Sequence, residues 1–240
     1  MKRSKRILRL LTLQQLRNFL GSSASARRFA DRYDLIYFGS VGRDDESRLV
    51  KGVTVSNTHR DSHYLVGTAY NRDIIFLQRT DSLHSANQKK LEAYTWNILA
   101  IDLKPFMQLP HVYIEGRTRH GRGFYEALAM TKREFSELPL NFLSNYDPLF
   151  SDKFVIRLPA SATLELPYLL PPERAAIMAH HFSSFDFEWH DDVLYVYFLS
   201  SRPTLTQLEH MLKAGVWLSD ELEAAVQLQL NPMGQPEENK

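Results

Sequence analysis

Cysteine is missing from all 240 residues, which excludes a disulfide scaffold, a thiol nucleophile and any zinc site built on thiolates. Long apolar runs are missing as well. The longest, Val193 to Leu199, falls far short of the roughly 20 residues that span a bilayer, so no transmembrane segment is expected. The sequence carries no P-loop, dinucleotide turn, Gly-x-Ser-x-Gly elbow, His-Glu-x-x-His helix or kinase set, and no repeat of fixed period. What remains is 44% hydrophobic, 12% aromatic and 24% charged, a globular composition that excludes a mostly disordered, collagenous or coiled-coil chain. A chain of this length can bury about 70% of its unfolded surface without a covalent staple.

Charge is unevenly spread. Residues 1–32 hold nine Lys or Arg and one acid, a net +8, whereas the rest holds 20 basic and 27 acidic residues, a net −7. A basic arm on an acidic body implies that the arm meets something anionic: lipid headgroups, nucleic acid, an acidic partner or this body itself. Leu10, Leu13, Leu16 and Leu20 recur at helical spacing beside a second row of Ile7, Leu8 and Leu11, so the arm is predicted as a basic amphipathic N-terminal helix. Arg9, Gln14, Gln15 and Arg17 interrupt the apolar positions, unlike the core of a secretory signal. Gly21 and the serines after it break this helix before a short second one ending at Arg32.

The texture from Tyr33 to Ile114 predicts strands at 34–39, 48–56, 63–70, 73–80, 93–103 and 111–115, with a hairpin turn at Asn71-Arg72. Helices are predicted over 123–136, 172–182 and 205–230, the last opened by a Thr204/Gln207 capping box and bent or split at Gly215 and Ser219. Strands are expected at 154–158 and as a hairpin 185–189/193–199 turning through His190-Asp191-Asp192. The fold class is therefore α+β: a β-meander or partly curled antiparallel sheet in the first half, helices plus a short β-hairpin in the second. The domain reading is an arm at 1–32, one compact unit at 33–230 or two tightly packed halves at 33–120 and 121–230, and a disordered tail at 231–240.

Four constellations could carry chemistry. His59, Asp61 and His63 supply metal-ligating types at alternate positions, yet in an extended chain the two histidines are about 13 Å apart and Asn57, Asp61 and Ser62 mark a turn. A solvated hairpin loop is the expected reading, and a converged metal site the alternative. Arg117, Arg119 and Arg122 lie in a glycine-spaced loop after a strand, where backbone N–H groups and guanidinium groups suit an anion or phosphate; a structural loop is the expected reading. His180-His181 and the His190 turn are explained by a helix C-terminus and a hairpin, and Asp44-Asp45-Glu46 reads as an ordinary loop.

The stretches YFGSVGRDDESRLVKGVTVSNTHRDSHYLVG, LPHVYIEG and YLLPPERAAIMAHHF followed by FEWHDDVLYVYF resemble an uncharacterised protein family of reduced-genome candidate-phylum bacteria. The later part, a Tyr-Leu-Leu-Pro segment, a helix and a strand ending Leu-Tyr-Val, is similar to a broader bacterial membrane-associated family of unknown function. The resemblance implies a bacterial α+β domain associated with the inner face of a membrane, and supplies no catalytic residue.

The expected function is a non-enzymatic interaction module in the cytoplasm, peripheral at the inner membrane face, with no cofactor. It would dock on an anionic membrane surface or acidic protein through Lys5, Arg6, Arg9 and Arg17, with the Arg117–Arg122 loop as a second anion contact. Weak nucleic-acid binding through the same two elements is one alternative, and metal-assisted hydrolysis through His59, Asp61 and His63 another.

Overall fold

The computed structural model describes residues 24–39, 59–84, 91–103, 108–117 and 134–230. The amphipathic arm through residue 23, the predicted strand 48–56, the acidic loop 44–46 and the tail 231–240 lie outside the described residues, as does all but the end of the predicted helix 123–136.

Among the described residues, nine antiparallel strands form one uncurled sheet of an α+β fold. The strands are β1 (Ile36–Tyr37), β2 (His59–Ala69), β3 (Arg72–His84), β4 (Leu91–Asp102), β5 (Leu109–Gly116), β6 (Ser136–Glu137), β7 (Phe154–Leu158), β8 (Asp186–Asp191) and β9 (Val193–Leu199). Their order in the sheet is β1-β2-β3-β4-β9-β8-β5-β7-β6. The first four form a meander, as the alternating texture predicts. The hairpin β8–β9 does not stand apart: it slots between β4 and β5 and fuses the halves into a single layer. Where the pattern predicts helix to residue 136, Ser136 and Glu137 instead pair with Leu158 and Arg157 as an edge strand.

Two tight turns set the registers. Tyr70 and Asn71, both at positive φ (52° and 60°), make the two-residue loop that joins Ala69 to Arg72, the left-handed pair that matches the twist of a hairpin. Asp191, at φ 55°, opens the corresponding loop between His190 and Val193.

One face of the sheet carries the main core, including Leu65, Phe76, Leu99, Ile101, Ile114, Ile156, Trp189 and Val196. A helix over 24–33, α1, sets Ala26, Phe29 and Ala30 at helical spacing on its buried side, with Phe29 against Phe76 at a ring separation of 6.1 Å. This is the short second helix that the sequence predicts, here packed on the sheet. Among the described residues the further α-helices are α2 (Pro148–Lys153), α3 (Leu166–Leu169), α4 (Pro172–His181) and the 26-residue α5 (Leu205–Leu230). At the start of α5 the Thr204 N–H donates to Gln207 Oε1 at 2.9 Å and the Gln207 N–H to Thr204 Oγ1 at 3.2 Å, the reciprocal capping box read from the sequence.

Gly215 and Ser219 neither split nor end α5. Ser219 Oγ donates back to the Gly215 carbonyl at 2.8 Å inside an unbroken helix. At Gly215 α5 lies close against the sheet: a Cβ there would lie 2.5 Å from Ile101 Cδ1, 3.2 Å from Val196 Cγ2 and 3.3 Å from Leu99 Cδ2. The residue is small because β4 and β9 run directly beneath it. Gly215→Leu is therefore expected to lower unfolding free energy by about 1–3 kcal/mol despite leucine's better helix propensity, read as a lower urea midpoint with an unchanged slope. An unchanged midpoint would show that α5 does not sit this close.

Candidate functional site

The second face of the sheet changes character from one edge to the other. A single cross-strand row runs Ile36, Val66, Ile75, Ala100, Tyr195, Glu188, Tyr113, Arg157, Glu137, one residue per strand across all nine. It begins apolar, passes through tyrosine and ends charged.

In the charged part three carboxylates, Glu188, Glu115 and Asp186, are buried against donors, whereas Glu137 at the edge is exposed. Glu188 accepts from the Tyr197 hydroxyl and lies 2.6 Å from His111 Nε2. Glu115 accepts from Arg157 Nε at 2.6 Å, and Asp186 Oδ1 accepts from the Gly116 backbone N–H at 2.7 Å. The His111 ring also lies against that of His190, tilted by 46° with centroids 4.5 Å apart. These contacts tie β5, β7, β8 and β9 together.

Further along the same face, Asp61 receives a two-pronged contact from Arg79, Nε to Oδ1 at 2.8 Å and Nη2 to Oδ2 at 2.7 Å, plus the Tyr64 hydroxyl at 3.0 Å. Both charged partners are almost wholly buried. Burial alone would lower the Arg79 guanidinium's pKa, but the hydrogen bond to Asp61 and its negative charge outweigh that and hold it raised.

This changes the reading of the His59 segment. It is not a solvated loop but the start of β2, paired with Asp81 to Gln78 and interrupted by a bulge between Ser62 and Leu65. His63, at φ 57°, is the bulged residue, and the extra residue lets Asp61 and Tyr64 meet on one face. Polar residues on a buried strand are the reason the segment mimics a turn in sequence: their partners lie on β3, not nearby in the chain. His63 is 2% exposed and its Nδ1 lies 2.8 Å from the Tyr37 hydroxyl. Burial, helped by the positive charge of Arg27, pushes its pKa below the ordinary imidazole value. Asp61 and His63 thus serve different partners, and among the described residues no three His, Asp or Glu side chains gather in a metal-holding arrangement.

Arg117 donates from Nε to the Ser151 carbonyl at 3.0 Å and from Nη2 to the Phe154 carbonyl at 3.4 Å, tying the end of β5 to α2 and β7. Arg119 and Arg122 lie outside the described residues, as do Lys5, Arg6, Arg9 and Arg17. His180 Nε2 lies 3.2 Å from Asp147 Oδ2, and Asp147 also caps α2 by accepting from the Leu149 N–H. That backbone hydrogen bond first, and His180 second, hold the Asp147 carboxyl below its ordinary value.

Two cavities, which sequence reasoning missed, open where β2 and β3 turn. The first, of about 370 Å³, is floored on the second sheet face by Val66, Ile75, Ala100, Val193 and Tyr195. The second, of about 580 Å³, lies toward α5 and includes Tyr70, Arg72, Asp220, Glu223 and Gln227. Both are lined by Thr68, Asp73 and Asp102. Arg72 is committed to Glu223 and Asp220, each at 2.6 Å. The signal for these cavities is split among strand ends distant in sequence, so no local motif announces them.

No family model matches this chain, and no curated protein matches it. Among solved structures, its fold is similar to the crystal structure of the mycobacterial trehalose monomycolate transport factor A, TtfA. The two superpose with a TM-score of 0.56 at 8% identity, over 87% of this chain and 96% of that one. At this identity the likeness shows the fold alone. Among the described residues no helix is long and apolar enough to cross a membrane.

Removing one partner of the Asp61–Arg79 pair strands a buried charge. Arg79→Met should cost about 3–5 kcal/mol in urea unfolding, and the double variant Asp61→Leu/Arg79→Met should recover most of it. Equal losses in both would mean that the pair is not the source. His63 predicts a pH effect of definite sign. Its folded pKa lies below its unfolded value of about 6.5, so the unfolded chain binds the proton more readily and stability falls as pH drops through and below that value. His63→Gln should flatten this dependence between neutral and mildly acidic pH. A wild-type slope retained in the variant would assign it to another group.

Proposed function

We propose that this chain is a non-enzymatic interaction module that binds peripherally to an anionic membrane surface through its basic N-terminal residues and serves a transport-type assembly. The observation that carries the reading is the split of charge: +8 within residues 1–32 against −7 in the rest. Such a split draws the basic end toward acidic lipid and turns the body away from it. The structure of the body is consistent with this use. Its buried charges among the described residues form structural links, such as Asp61 with Arg79 and Glu115 with Arg157, that tie strand to strand. The shared fold of a protein described as a transport factor supports an accessory role of the same kind. Arg117 has two donors engaged by backbone carbonyls, which weakens the alternative of a phosphate-gripping nucleic-acid loop.

Sedimentation with vesicles tests the proposal. Full-length protein should pellet with vesicles containing phosphatidylserine, release as salt rises, and bind neutral phosphatidylcholine vesicles poorly. With each basic residue near the surface contributing about 1 kcal/mol, replacing Lys5, Arg6, Arg9 and Arg17 by Gln should weaken binding at least about tenfold. Equal binding to both vesicle types, or by the variant, contradicts it.

A further inference from the structure

The 370 Å³ cavity on the second sheet face combines an apolar floor with an anionic rim. Val66, Ile75, Ala100 and Val193 supply the floor and the Tyr195 ring one wall, while Asp73 and Asp102 stand at the boundary with the neighbouring 580 Å³ cavity. Its volume lies within the range of about 300–1,000 Å³ typical of small-molecule sites. Asp73 accepts from Thr68 Oγ1 at 2.7 Å, a donor that brings no positive charge. Arg72, the cation lining the larger cavity among the described residues, is already held by Glu223 and Asp220. The carboxylates between the cavities therefore lack a compensating positive charge from the described lining. Burial, then the like charges of Asp192 and Asp73, raise the pKa of the Asp102 carboxyl, the response expected of an uncompensated anionic cluster beside an apolar wall.

We infer that this cavity is a binding site for a cationic amphiphile, with an aliphatic tail on the Val66/Ile75/Ala100/Val193 floor and an ammonium head between Asp73 and Asp102. A neutral amphiphile would gain the same apolar contact without the charge pairing, and an anionic one would be repelled. None of the lining residues is among the basic residues of the membrane-binding proposal, so either can fail without the other.

Calorimetric titration of the full-length protein with decylammonium, decanol and decanoate, each below its aggregation limit, tests the inference. Decylammonium should bind saturably at one site and raise the melting temperature, with decanol and decanoate at least about fivefold weaker. Asp102→Asn, at an exposed rim position, should reduce decylammonium affinity by a similar factor and so narrow its margin over decanol. Ala100→Phe, which fills the floor, should abolish binding of both, and Val193→Phe should do the same should the first variant fail to fold. Absence of decylammonium binding, equal affinity for the three probes, or affinity unaltered by Asp102→Asn overturns the inference.

Discussion

The pairing of β4 with β9 joins residues about a hundred positions apart, from Trp96 opposite Leu199 to Asp102 opposite Val193, and the rest of the structure is arranged around that seam. Without it the meander β1–β4 and the group β9-β8-β5-β7-β6 would each present an open edge with a row of unpaired backbone donors and acceptors. With it, one apolar face runs uninterrupted from Leu65 to Ile156, broad enough to accept α1 at one side and α5 across the middle. The close approach of α5 at Gly215, over Ile101 on β4 and Val196 on β9, clamps the seam from above. Forming such a long-range contact is slow and entropically costly, so the hairpin β8–β9, local in sequence, is the natural piece to form first and dock second.

The opposite face derives its behaviour from the same register. Because every strand contributes one residue to the row from Ile36 to Glu137, the change from aliphatic to tyrosine to ion pair is a property of the whole sheet and of no single strand. At its aliphatic end, where β2 and β3 turn and β4 stops, the row leaves a cavity. At its charged end, buried carboxylates find partners on neighbouring strands. The bulge at His63 adjusts β2 so that Asp61 reaches both Tyr64 and Arg79, placing a fully desolvated ion pair inside the sheet face. Buried pairs of this kind contribute little net stability relative to apolar side chains, but they penalise a slipped register heavily, because a one-residue shift would leave each charge alone.

Elements with local causes were legible in the sequence. The capping box at Thr204, the turn through Asp191-Asp192 and the strands β3, β4 and β9 all follow from residues a few positions apart, whereas the first hairpin turn lies at Tyr70-Asn71, one residue before the Asn71-Arg72 that the pattern suggests, because Arg72 already pairs with Ala69. The features that escaped have distant causes. His59 to His63 reads as a turn because its polar residues are solvated in any local view, and only Arg79 on β3 explains them as a buried strand. Gly215 reads as a helix breaker because the sheet beneath it is invisible from its neighbours. The cavities draw their linings from the ends of β2, β3, β4 and β9 together with α5, so no window of sequence contains them. The α+β class was readable, whereas the insertion of β8–β9 between β4 and β5 was not, since antiparallel partners need no sequence adjacency.

A single cooperative sheet is also what the cavity on the second face requires, because Ala100 on β4 and Val193 and Tyr195 on β9 line it together. Native-state hydrogen exchange on the intact protein measures this directly. Backbone amides of Trp96–Asp102 in β4 and Val193–Leu199 in β9 should exchange together, with the slowest rates in the molecule and the same dependence on denaturant. Exchange of β4 at a much lower opening free energy than β9, with β2–β4 unfolding as a unit apart from the rest, would contradict the seam on which the account stands.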